Sequence, residues 1–175
     1  MNLESAIQQL DHQSQAIAQL VQVIDIEQAR WRPDAEAWSM LEVIGHLVDE
    51  EREDFRARVK QILEGTEFSP IHPGAWVTER GYNQRELAPM LQEFLSEREA
   101  SLAWLKTLTD ANIDWDKLYI DPERPIPAGE MLSSWVAHDL LHLRQLIELR
   151  YLYFQQQAKP YNIEYAGEWV VTEDE

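Results

Sequence analysis

The chain has 175 residues, a formal net charge of -17 and a sequence pI near 4.6. With 45% hydrophobic and 27% charged residues it reads as one globular domain, and its acidity argues against partners with a phosphate backbone or anionic lipid heads. It has no cysteine, so disulfides, thiolate ligands and a cysteine nucleophile are excluded. No apolar run approaches the ~20 residues that span a bilayer. The start, Met1-Asn2-Leu3-Glu4, lacks the basic and apolar regions of a signal peptide, so a cytoplasmic location is expected.

Four segments carry helical periodicity. In the first, Leu3, Ile7, Leu10, Ile17, Val21 and Ile24 recur at three- and four-residue spacing, with Ser14 in the gap. The second opens on Ser39-x-x-Glu42, a capping box, and continues through Ile44, Val48, Phe55, Val59 and Ile62 to a stop at Gly65. The third runs from about Arg85 to Leu108, with Leu87, Leu91, Phe94, Leu105 and Leu108 as its seam. The fourth follows Pro127 to about Gln156, and Met131, Trp135, His138, His142, Gln145, Leu149 and Leu152 fall on a 4-3-4-3 spacing. The connection over residues 64–85 is long enough to run back, extended, along a helix of about 37 Å, which allows the second and third helices to be parallel. Residues 1–157 are expected to form one bundle domain. In the tail, residues 158–175, Tyr161, Ile163 and Tyr165 alternate before Trp169-Val170-Val171. That pattern predicts an extended segment against the bundle or a second subunit, with Thr172-Glu173-Asp174-Glu175 frayed.

The sharpest chemical signal is on the fourth helix. His138 and His142 are one turn apart, about 6 Å along the axis, and two imidazoles so placed can reach one cation. Asp139-Leu140-Leu141 lies between them, so the H-E-x-x-H protease motif is absent. Their place in the middle of an apolar seam demands partners for the ring nitrogens, either a metal or hydrogen bonds. His46, in Val43-Ile44-Gly45-His46-Leu47, falls on the flank of the second helix's stripe and shares its face with Glu50 and Glu53. Such glutamates can orient an imidazole, but their ordinary reading is solvated surface acids. His12 and His72 read as incidental. Arg98 and Gln145 occupy seam positions, where each is either a pocket-lining contact for substrate or a structural hydrogen-bonder. A di-iron set is excluded, because no histidine has a glutamate three residues before it. Phosphate-cradling and dinucleotide-binding glycine motifs are also absent.

Pro33-x-x-x-x-Trp38-Ser39-Met40-x-Glu42-Val43-x-Gly45-His46-Leu47, followed by Glu50-Glu51 and Phe55-x-x-Arg58, resembles the first signature of the DinB-like family. His138-Asp139-x-x-His142-x-Arg144-Gln145-Leu146 resembles the second signature, and Phe94-x-x-x-Arg98 resembles the third helix. The resemblance covers roughly residues 3–155. It implies an all-α four-helix bundle in up-down-down-up order, with a divalent metal, zinc or nickel, on His46, His138 and His142. It also implies an open coordination position and a homodimer. Characterised relatives include S-transferases and isomerases that use low-molecular-weight thiols, and others are assigned as metal-dependent hydrolases. On this reading the substrate is a small molecule and the metal activates a thiol or a water. Glu50, Arg98 and Gln145 are then the candidate catalytic or substrate-contacting residues. The competing expectation is a stress-related binding protein, without enzymatic activity, whose metal site is structural or vestigial.

Overall fold

The structure, a computed structural model, describes residues 2–68, 70–109, 113–120 and 124–169. The first rod is α1 (Leu3–Val21), capped by Asn2, whose side chain accepts the Ser5 N–H at 2.8 Å. A single-turn helix α2 (Ile26–Arg30) follows. The second rod is α3 (Met40–Asp49), a π-helical turn over Glu50–Asp54 and α4 (Phe55–Glu64). Its start is the expected capping box, with Ser39 and Glu42 each binding the other's backbone N–H. It ends at Gly65, whose φ of 79° is the left-handed conformation that glycine adopts without a Cβ penalty. The third rod is α6 (Leu87–Leu105) and the fourth α7 (Ala128–Gln157).

Side-chain pairing between rods sets their directions. Arg52 reaches Glu93 and Arg56 reaches Ser101, so rods two and three run the same way. Gln13 bonds the Val136 carbonyl and Arg150 the Leu20 carbonyl, so rods one and four are also parallel. His46 meets His142 while Phe55 stacks on Trp135, so rod two opposes rod four. The order is therefore up-down-down-up, as the resemblance implied.

The connections differ from expectation. Residues 64–85 are not a simple extended return: they contain α5 (Pro73–Glu79) and a 3₁₀ turn at Tyr82–Gln84. Tyr82 is buried there, with its ring so close to Gly45 that a Cβ at Gly45 would lie 2.7 Å from the Tyr82 Cδ2. The link between rods three and four holds an antiparallel hairpin, β1 (Leu118–Ile120) with β2 (Pro125–Pro127), which three-residue strands left invisible to periodicity. The described part of the tail does lie against the bundle, but it is not extended throughout. It makes a 3₁₀ turn at Glu164–Ala166, and Trp169 stacks on Tyr151 of α7 with centroids 5.0 Å apart. Val170, Val171 and the acidic end expected to fray lie outside the described residues.

The core has two apolar blocks. One contains Ile17, Val21, Ile44, Leu47, Met90, Phe94, Leu146 and Leu149. The other contains Leu3, Leu10, Phe55, Leu102, Leu105, Leu132 and Trp135. Between them every rod contributes buried polar groups: Gln13 and Ser14, then Asp49, Glu50 and Glu51, then Arg98, then Asp139. This middle layer is where the histidines lie. Among the described residues no helix is long and apolar enough to cross a membrane.

Candidate metal centre

His46 is carried by α3, and His138 and His142 by α7. The Nε2 atoms of His46 and His138 are 3.3 Å apart, and those of His142 and His138 3.1 Å. A tetrahedral zinc with Zn–N bonds of ~2.0–2.1 Å sets its nitrogens about 3.3–3.4 Å apart, close to what the rings show. The other ring nitrogens explain which atoms converge. His142 Nδ1 donates to Gln145 Oε1 at 2.8 Å, which leaves its Nε2 as a lone pair. His46 Nδ1 faces Glu50 Oε1 at 3.5 Å, and His138 Nδ1 is buried with no hydrogen-bond partner among the described residues. A proton on His138 Nε2 would serve one of its neighbours well, whereas a cation serves all three rings. The donor set therefore fits a divalent metal, and it fits one with an open position, since no fourth side chain joins the cluster among the described residues.

Electrostatics favours the ligand form. Burial, followed by the His142 and His138 rings, pushes the pKa of His46 down to about 2. Burial, with His142 and Arg98 beside it, takes His138 down to about 3, and burial also lowers His142. All three are neutral imidazoles at physiological pH, and a neutral ring is what a metal needs. Aromatic rings wall the site. Trp38 lies edge-on to His46 at 5.0 Å and parallel to His142 at 6.4 Å, and Phe55 is 5.0 Å from His138.

Beside His142 lies a cleft of about 510 Å³, lined by Trp38, His142, Gln145 and Leu149, among others. That volume is in the range of small-molecule sites.

The sequence matches the DinB superfamily over residues 9–146. The chain belongs to the DinB superfamily. Among solved structures, this DinB-superfamily protein is similar to YfiT from Bacillus subtilis, described as a probable metal-dependent hydrolase with an unusual four-helix bundle topology. The TM-score is 0.72 at 23% identity, covering 84% of this chain and 85% of that one, a likeness that establishes the fold. No curated protein gives a significant match to the chain.

Within this DinB bundle the other candidates separate. Gln145 sits in the cleft against His142. Glu50 is only 4% exposed, so the reading of it as a solvated acid is corrected: the π turn carries it inward beside His46. Burial, with Asp54 and Asp49 adding, raises its pKa well above the usual carboxylate range, although Arg58 opposes. Glu53 does face outward and pairs with Arg80. Arg98 is 1% exposed and its guanidinium is taken up inside the protein, by Glu51 at 2.6 Å, by Asp139 at 2.7 and 3.1 Å and by the Leu10 carbonyl at 2.7 Å. Of the two readings of Arg98, the geometry is that of a structural hydrogen-bonder. Trp135 also donates to Glu51, at 2.6 Å. Sequence reasoning placed Trp38, Glu51 and Asp139 in the family signatures but gave none of them a role. The signal for Asp139 was available, because it lies one turn after Trp135. His138 and His142 stand at the edge of the α7 seam rather than its middle, and Asp139 takes the buried centre. His12 and His72 are exposed and apart from the cluster.

Proposed function

We propose that the protein is a metal-dependent hydrolase of small molecules, with His46, His138 and His142 as ligands. The observation that carries this reading is the convergence of three imidazole rings, the Nε2 of His138 lying 3.3 Å from that of His46 and 3.1 Å from that of His142, beside a cleft. A divalent ion held there, zinc or nickel on this reading, would supply Lewis acidity and would lower the pKa of a water toward neutrality. The chain's own residues do the rest. Gln145 fixes the His142 ring through Nδ1 and reaches the cleft, where it contacts substrate. Glu50, which burial keeps protonated beside His46, is placed to hold and exchange a proton at the site. Arg98 acts indirectly, by fixing Asp139 and hence the turn of α7 that carries His138. Trp38 packs against the His46 and His142 rings and Phe55 against the His138 ring, and the two hold the three imidazoles in place.

A low-molecular-weight thiol, as the group the metal would activate in place of water, is the alternative that the family resemblance raises. The test is a panel of amide, ester and lactone substrates, with and without a thiol co-substrate, on zinc- and nickel-loaded protein. Turnover without thiol, lost in His138→Ala and on chelation, supports hydrolysis. Turnover that requires the thiol replaces hydrolysis by S-transfer. Metal binding with no turnover across the panel would favour the non-enzymatic binding protein.

A further inference from the structure

His142 and His46 are held in different ways. Gln145 fixes the His142 ring by a hydrogen bond, whereas His46 Nδ1 is buried without one among the described residues, with Glu50 Oε1 at 3.5 Å. The aim of His46 is therefore set by packing and by the rotation of the helix that carries it. The connection between rods two and three grips that helix. Tyr82 is buried with its ring on Gly45, the residue before His46, so close that no Cβ fits there. Its hydroxyl donates to Asp49 Oδ2, and Arg80 donates to Asp49 Oδ1 at 2.5 Å. Arg80 also reaches Glu53, at 2.7 and 3.2 Å, and its guanidinium lies over the Trp76 ring. Asn83 accepts the Ser39 hydroxyl at 2.8 Å, at the start of the same rod. Gly45, Asp49 and Glu53 follow one another at four-residue spacing, and His46 and Glu50 are each the next residue along. Among the described residues both oxygens of buried Asp49 are taken by this connection and neither by another rod. A phenylalanine at 82 would supply the same ring; the hydroxyl adds a directional bond to the turn that carries His46 and Glu50.

We propose that Tyr82 is a positioning residue of the metal centre. Its ring on Gly45 and its hydroxyl on Asp49 fix the rotation of rod two, and so aim His46 Nε2 at the two histidines of α7. This rests on the metal-centre reading and adds to it a residue outside the ligand set. Small rotations matter here. A ring nitrogen near the ~5–6 Å outer radius of a helix moves by about 1 Å when the helix turns by ~10°. Metal–ligand distances tolerate only about 0.2 Å.

The test is a double-mutant cycle on the full chain. Zinc affinity is read by competition with a chromophoric chelator, and stability by urea denaturation in the presence of a chelator. Tyr82→Phe, which keeps the ring and removes the hydroxyl, should bind zinc about tenfold more weakly, the lower end of the cost of losing a group that orients a ligand. The same substitution made in His46→Ala should leave zinc affinity unchanged, because Tyr82 acts through His46, while its cost to folding should be equal in both backgrounds. A residue that only supports the fold would move the urea midpoint and not the affinity of the folded protein. Unchanged affinity in Tyr82→Phe, or the same loss in the His46→Ala background, would overturn the positioning role alone. If the wild type binds zinc no more tightly than His138→Ala, the metal-centre reading itself fails and the proposal fails with it.

Discussion

Gln145 shows how one side chain can decide what an imidazole does. Its amide oxygen takes the Nδ1 proton of His142 and so commits Nε2 to the cluster. Gln145→Leu should keep the fold and lower zinc affinity about 10- to 100-fold, measured by competition with a chromophoric chelator, the usual cost of losing a partner that orients a ligand. Unchanged affinity would mean the ring is held by packing alone. His46 allows a different measurement. Its pKa is about 2 in the folded protein against an ordinary 6.5, so below pH 6.5 the unfolded chain takes the proton first. Stability from this residue is complete above pH 6.5 and drains away as pH falls toward 2. Asp49 and Asp139, both raised to about 6 chiefly by burial, act with the opposite sign, losing stability as pH rises from 3.8 through 6. Comparison with His46→Leu isolates the histidine. In chelator, urea denaturation at pH 6.5 and 5.5 should show the stability difference moving in the variant's favour by about 1 kcal/mol.

At the scale of elements, the second rod and α7 meet across the polar layer, and the π turn is what supplies the carboxylates. Glu50 and Glu51 are neighbours in sequence, yet Glu50 faces His46 while Glu51 faces Arg98 and Trp135. A π turn is a recurrent device at functional sites because it redirects successive side chains in this way. The Arg98 cluster ties all four rods: Leu10 from α1, Glu51 from the second rod, Arg98 from α6 and Asp139 from α7. Arg98→Met leaves two buried carboxylates without their cation and should cost about 3–5 kcal/mol in urea denaturation. A cost below 1 kcal/mol would show the acids taking up protons or water freely. Joint replacement of Arg98, Glu51 and Asp139 by apolar residues should recover much of the loss, since the penalty lies in the unpaired charges. The capping box at Ser39 and the Gly65 stop were legible because they are local hydrogen-bond and backbone rules. The π turn was not, because a one-residue change of period within an intact apolar stripe leaves no compositional mark.

On the scale of the whole molecule, the sequence pattern revealed the rods, and the contacts between them show why the site could be read only in part. Residues of an apolar block repeat along each helix, so periodicity finds them. A polar layer contributed as one or two residues per rod looks, in any single rod, like a defect in the stripe. Ser14 reads as a gap, Arg98 as an oddity and His46 as a flank residue, and only their common level in the bundle makes them a layer. His46 and His138 are 92 residues apart, on antiparallel rods that no turn joins directly. A metal held by both rods would therefore crosslink the bundle at its polar middle, where apolar burial contributes least, and it would bind the folded chain alone. Mass action then fixes the expected size of the effect: at free zinc of about 100 times the dissociation constant, folding should gain about 2.7 kcal/mol. Thermal or urea denaturation with zinc and with chelator measures it. His138→Ala should abolish the gain while leaving the chelated protein folded, because His138 stands at the edge of the α7 seam and the Arg98 cluster still joins the four rods. A gain that persists in His138→Ala would place the stabilising metal elsewhere, on the acidic surface rather than between the rods.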